Sequence, residues 1–72
     1  MEFSEKLLLL RTENRRTQQQ LADAIGVTLR QYQRFEHGEQ KPGFDNLRRL
    51  ADFYQVSADW LLGRSERRDF LP

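Results

Sequence analysis

TQQQLADAIGVTLRQYQRFEHG, residues Thr17 to Gly38, holds two helix beginnings and two helix endings within one short stretch. Thr17 and Gln20 stand three apart, the spacing of a capping box in which side chains satisfy the free N–H groups that open a helix. Leu21, Ala22 and Ile25 then fall on one helical face, and Gly26 comes where the chain must leave that helix in a left-handed conformation. Thr28 and Gln31 repeat the capping-box spacing, with Val27 and Tyr32 placed to act as a hydrophobic staple across the second helix start. Tyr32 and Phe35 point inward, and Gly38 closes the second helix. The side chains left outside are Arg30, Gln33, Arg34 and His37, a polar face without a carboxylate. An ordinary helical hairpin also turns charge to water. Paired caps around a glycine turn, with a small Ala22 for close approach, favour a helix-turn-helix whose second helix, 29–37, reads the major groove.

Outward from this motif the pattern stays helical. Phe3, Leu7 and Leu10 recur at i, i+4 and i+7, so residues 3 to 14 are expected to form an amphipathic first helix, with Leu8 and Leu9 on its flanks. Arg16, in the link to Thr17, can lay its aliphatic stem over the core. Glu39 to Gly43 is a loop marked by Pro42-Gly43. Phe44, Leu47, Leu50, Ala51 and Tyr54 give a third apolar stripe with Arg48, Arg49 and Asp52 outside. Ser57 can cap a short fifth helix carrying Trp60, Leu61 and Leu62, which Gly63 stops. Trp60 and Leu61 are expected in the core. No stretch alternates as a strand does. The expected fold is all-α: a five-helix bundle over residues 1–63 and a charged, flexible tail over 64–72.

The chain has 72 residues, 12 Lys and Arg against 11 Asp and Glu, a formal net charge of +1, and 0 cysteines. That length allows one domain, whose core must be stapled by helix packing alone. The longest apolar run, Leu7 to Leu10, is far too short for a membrane span or signal peptide, so a cytoplasmic location is expected. His37 is the only histidine, so neither a metal site nor a nucleophilic triad has enough partners. No phosphate-cradling glycine loop or paired carboxylates are present either. No enzyme, cofactor or small-molecule ligand is expected.

The first turns of the second motif helix carry Leu29, Arg30, Gln33 and Arg34. Arginine pairs bidentately with guanine, glutamine with adenine, and an apolar side chain touches a thymine methyl, so these four are the expected base contacts. Gln40, Lys41 and Asn46, in and after the next loop, are candidate phosphate contacts, with His37 beside them.

The chain also resembles the helix-turn-helix family of lambda-type phage repressors and Cro proteins, the XRE family. The matching residues are Leu10-Arg11, Thr17-Gln18, Leu21-Ala22, Gly26-Val27-Thr28, Glu36, Gly38, Pro42, Leu47, Leu50-Ala51, Val56-Ser57 and Asp59 to Gly63. The match covers residues 3 to 63 without a gap. Three positions depart: Arg16 stands where the family usually buries a leucine, and Arg15 and Gln55 where a helix-ending Gly or Asn is common. The resemblance implies a lambda-repressor-like bundle that binds double-stranded DNA as a transcriptional regulator, of the small phage or prophage repressor kind. It implies that Leu29, Arg30 and Arg34 read bases and that Gln18 reaches a phosphate. It implies too that Arg11 and Glu36 pair, tying the first helix to the recognition helix. A domain this small reads few base pairs, so a homodimer on a palindromic operator is expected. The competing expectation is a protein-interaction module on the same fold, of antitoxin or antirepressor type, using Leu8, Leu9, Phe70 and Leu71.

Overall fold

The computed structural model describes residues 1–69. Five helices follow one another: α1 (Phe3–Glu13), α2 (Gln18–Ile25), α3 (Leu29–Glu36), α4 (Phe44–Tyr54) and α5 (Ala58–Leu62). Their starts obey the chemistry of the sequence. Thr17 and Gln20 form the full reciprocal capping box at α2. At α3 only half of the expected box forms: Thr28 Oγ1 accepts from the Gln31 backbone N–H, and the Gln31 side chain is not returned to the cap. Ser57 Oγ accepts from the backbone N–H groups of Asp59 and Trp60 to open α5. Glu2 and Glu5 make an unforeseen box at α1, with the Glu2 N–H bonded to Glu5 Oε1 at 2.9 Å.

The helix ends share one device. In each, a backbone N–H reaches back five residues to a carbonyl: Arg16 to Arg11, Val27 to Ala22, Glu39 to Arg34, Val56 to Ala51 and Arg64 to Asp59. This Schellman arrangement needs a left-handed residue just before the donor. Gly26, Gly38 and Gly63 supply it at φ 74–80°, whereas Arg15 and Gln55 are held at φ 55°.

Leu7, Leu10, Leu21, Ala22, Ile25, Tyr32, Phe35, Leu50, Ala51, Val56 and Leu61 make a single buried core, with Phe3, Val27, Leu47, Tyr54 and Trp60 packed around it. α2 and α3 pack on each other, α1 closes over α3, α4 backs α2, and α5 bridges α4 and α1. The stripe expected on α4 is corrected at its first residue: Phe44 is 78 % exposed. It is the first residue of α4, one turn before Leu47, and is not among the residues packed on the core. Arg16 is exposed, and its guanidinium rests 5.4 Å from the centre of the Phe53 ring.

Lys6 is buried although the sequence pattern gives a charge no reason to be inside. Its Nζ donates to the Trp60 carbonyl oxygen and sits 4.9 Å from the Trp60 ring centre. Arg68 approaches the same ring at 5.5 Å and pairs with Glu13. The Ser57 N–H donates to the Arg68 carbonyl at 2.9 Å, and Val56 forms an isolated antiparallel bridge with Asp69. Residues 64–69 therefore lie against α1 and the start of α5. Phe70 and Leu71 fall outside the described residues.

Candidate nucleic-acid interface

The outer side of α3 is built from the turn upward. Gly26 lets α2 end abruptly, Thr28 restarts the chain as α3, and burial of Tyr32 and Phe35 fixes which face of α3 turns out. On that face Arg30 and Arg34 are exposed one turn apart, and Gln33 is half-buried between them. Arg30, Gln33, Arg34 and His37 line one open groove, and Glu39 closes its rim. The acidic rim has no signal in the sequence, because Glu39 follows the helix and returns to it only through the Gly38 turn. Among the described residues neither Arg30 nor Arg34 takes part in a salt bridge, and both are exposed.

Leu29, the first residue of α3, is exposed beside this groove. Gln18 stands at the first position of α2, half-buried, facing α3. Gln40 and Lys41 are exposed in the next loop, and Asn46 sits in the first turn of α4, accepting from Arg49 Nη1 at 3.2 Å. Lys41 is not gathered with the α3 groove: with Phe3, Pro42, Leu47, Leu61 and Leu62 it lines a separate, mostly apolar one.

Beneath the α3 surface runs a chain of polar contacts. Arg11 on α1 grips Glu36 on α3 with two hydrogen bonds, Nε to Oε2 at 2.9 Å and Nη2 to Oε1 at 2.8 Å. Arg11 Nη1 also donates to the Arg16 carbonyl at 3.2 Å. Gln18 Nε2 donates to Glu36 Oε1 at 3.4 Å, and Gln33 Nε2 donates to Gln18 Oε1 at 3.2 Å. The side chain of Glu36 is only 5 % exposed, that of Arg11 18 %. Burial alone would push the Glu36 carboxyl up; the bonds and charge of Arg11, helped by Tyr32 and Gln18, outweigh it and hold the group below the usual carboxylate range. The Tyr32 hydroxyl is buried beside this carboxylate without a hydrogen bond of normal geometry, and burial, then Glu36, keep it protonated. Glu36 thus turns its charge inward, away from the α3 groove. The Gln18–Gln33 bond had no signal in the sequence, since fifteen positions separate the two.

Among the described residues no cluster of His, Cys, Asp and Glu could hold a metal ion. No helix there is long and apolar enough to cross a membrane.

A helix-turn-helix family model matches residues 7–61. The cryptic phage CTXphi transcriptional repressor RstR of Vibrio cholerae is 41 % identical over 64 residues, 89 % of this chain and 57 % of that protein. Among solved structures, a transcriptional regulator from Listeria innocua superposes with a TM-score of 0.84 at 32 % identity, over 92 % of this chain and 62 % of that one. The P22 c2 repressor, solved in complex with a synthetic operator, also gives a TM-score of 0.84, at 26 % identity over 90 % of this chain and 98 % of that one. The chain spans a little under three-fifths of the length of RstR, and 60 % of a regulator of Bacillus subtilis, YqaE, that is 36 % identical to it. With its five helices, left-handed glycine turn and matched span, the chain belongs to the lambda-repressor-like, or XRE, family of helix-turn-helix proteins.

Proposed function

We propose that this chain binds double-stranded DNA sequence-specifically and regulates transcription as a small repressor of the phage or prophage kind. The observation that carries the reading is the α3 groove. Arg30 and Arg34 stand exposed one helical turn apart in it, on a helix braced from behind by the Arg11–Glu36 pair. The same fold carries the P22 c2 repressor, whose structure was solved with an operator. Leu29, Arg30, Gln33 and Arg34 contact bases. Gln18, His37, Gln40, Lys41 and Asn46 hold phosphates around them. The working form on DNA is a homodimer on a palindromic operator, acting in the cytoplasm by binding alone, without catalysis.

The test is to select an operator from random duplexes and titrate variants against operator and scrambled DNA at several salt concentrations. Arg30→Ala or Arg34→Ala should each cost roughly 1–3 kcal/mol per half-site and relax the preference at one base position. Lys41→Ala should weaken all duplexes nearly equally and reduce the salt slope by about one per phosphate held. An operator-to-scrambled ratio unchanged by both arginine variants would sink the α3 assignment.

One observation favours the protein-partner alternative: Met1, Glu5, Leu8, Leu9 and Thr12 line an open, mostly apolar groove on α1. Counterion release makes DNA binding fall steeply with salt, whereas an apolar protein interface is nearly indifferent to it. Absence of any salt-sensitive duplex binding would move the function to this face.

A further inference from the structure

Between Glu36 and Gln33 the hydrogen bonds can run in one direction only. An ionised carboxylate accepts and never donates. Both oxygens of Glu36 already take N–H groups from Arg11, and the side chain is almost wholly shielded from water. The end of the Gln18 amide that faces Glu36 must therefore be its NH2 group, which places the Gln18 carbonyl oxygen toward Gln33. That carbonyl in turn can meet only an N–H of Gln33, 3.2 Å away. One amide donor of Gln33 is consumed inward, leaving its carbonyl oxygen and its second N–H for the groove it shares with Arg30 and Arg34. A free glutamine can turn over and offer either end.

We propose that Glu36, acting through Gln18, sets the direction of the Gln33 amide, so that Gln33 offers DNA one acceptor beside one donor and favours adenine over guanine. The inference rests on the reading of α3 as the base-contacting helix. Adenine shows the major groove a donor at N6 and an acceptor at N7, the complement of what Gln33 has left. Guanine shows two acceptors, N7 and O6, and would set O6 against the Gln33 carbonyl. Glu36 and Gln18 are positioning residues here. Neither needs to touch a base for the preference at one base pair to depend on it.

The experiment uses the selected operator with A·T or G·C at each position. Gln33→Ala first identifies the pair that Gln33 governs. At that pair the unaltered protein should prefer A·T by about 5- to 150-fold, the range of a good bidentate pairing. Glu36→Gln replaces an obligate acceptor by a side chain that both donates and accepts, and should lower the ratio to threefold or less. Gln18→Ala breaks the relay but leaves the Arg11–Glu36 pair in place, and should do the same. If Gln18 also holds a phosphate, its removal weakens every duplex alike, and that effect cancels in the ratio. Preferences governed by Arg30 and Arg34 should be unchanged in Gln18→Ala, which keeps the Arg11–Glu36 pair. If Glu36→Gln proves unfolded in a thermal melt, Gln18→Ala decides alone. A wild-type ratio in Gln18→Ala, a G·C preference at the Gln33 pair, or no pair altered by Gln33→Ala would each overturn the proposal. In those outcomes Arg30→Ala and Arg34→Ala still relax other positions and the α3 reading stands. If neither arginine variant alters any position, the α3 reading falls and takes this inference with it.

Discussion

Gly26 and Arg15 occupy equivalent places, each holding the left-handed residue of a Schellman helix end, with opposite fitness for it. A Cβ built on Gly26 would meet nothing within 4 Å, so a side chain there costs backbone strain and little else. Gly26→Val should lower stability by about 1–3 kcal/mol, since a β-branched residue at positive φ is a severe outlier. Thermal melts check this, and an unchanged midpoint would mean that the turn is not held by φ. Arg15 already bears such strain at φ 55°. Arg15→Gly should therefore raise stability by about 0.5–1 kcal/mol, after the entropy cost of glycine is subtracted. Gln55→Gly should gain less, because the Gln55 side chain donates to the Asp52 carbonyl at 2.7 Å and that bond would go. If Gln55→Gly gains as much as Arg15→Gly, that bond contributes nothing measurable. The two departures from the family pattern are thus legible as strain from the sequence, once the helix ends are known to be left-handed.

Between elements, the bond that orients α3 is the Arg11–Glu36 pair. Removing one partner leaves the other charge poorly solvated, so Arg11→Met or Glu36→Leu should each cost toward the lower end of about 3–5 kcal/mol, given that Arg11 stays partly in water. Replacing both together should cost far less than the sum. A double-mutant cycle measures the coupling, and a value near zero would remove the pair as a brace. The pair also makes a pH prediction. The Glu36 carboxyl is held below its ordinary range in the fold, so its stabilisation is complete above its unfolded value and is lost as pH falls through the folded one. Glu36→Gln should flatten the acid limb of a stability–pH curve. An acid limb as steep as before would assign acid sensitivity to other carboxylates. Periodicity marks Tyr32 and Phe35 as inward, and both are. It also places Phe44 on the α4 stripe, because a stripe says which face of a helix turns in and not where its partners stop.

At the scale of the molecule, Phe44 and Leu62 are exposed large apolar side chains, with the Phe3, Pro42 and Leu47 groove lying against Leu62. If copies of the chain pair on DNA through this side, Phe44→Asp should abolish cooperative binding to a two-half-site operator and spare binding to one half-site. Stability should stay within about 0.5 kcal/mol, since the site is at the surface and an acid is favourable in the first turn of a helix. Retained cooperativity would place the pairing face elsewhere.

What the sequence determined by itself is local. Caps at Thr17, Thr28 and Ser57, glycine stops at Gly26, Gly38 and Gly63, and apolar residues at helical spacing act between neighbours three to five positions apart, so five helices and their inward faces can be read without a fold. Tertiary structure decided whatever depends on partners distant in the chain. Lys6 is buried because Trp60, fifty-four positions away, roofs it and accepts its proton in a hydrogen bond. Lys41 lines a groove with Phe3, Pro42, Leu47, Leu61 and Leu62, separate from the one on α3, because residues from α1, α4 and α5 come together there. The direction of the Gln33 amide depends on Gln18 from α2, Glu36 from α3 and Arg11 from α1 meeting in one half-buried seam. Spacing along a chain encodes which way a side chain faces. What it finds there is set by the packing of helices whose mutual positions no local rule contains.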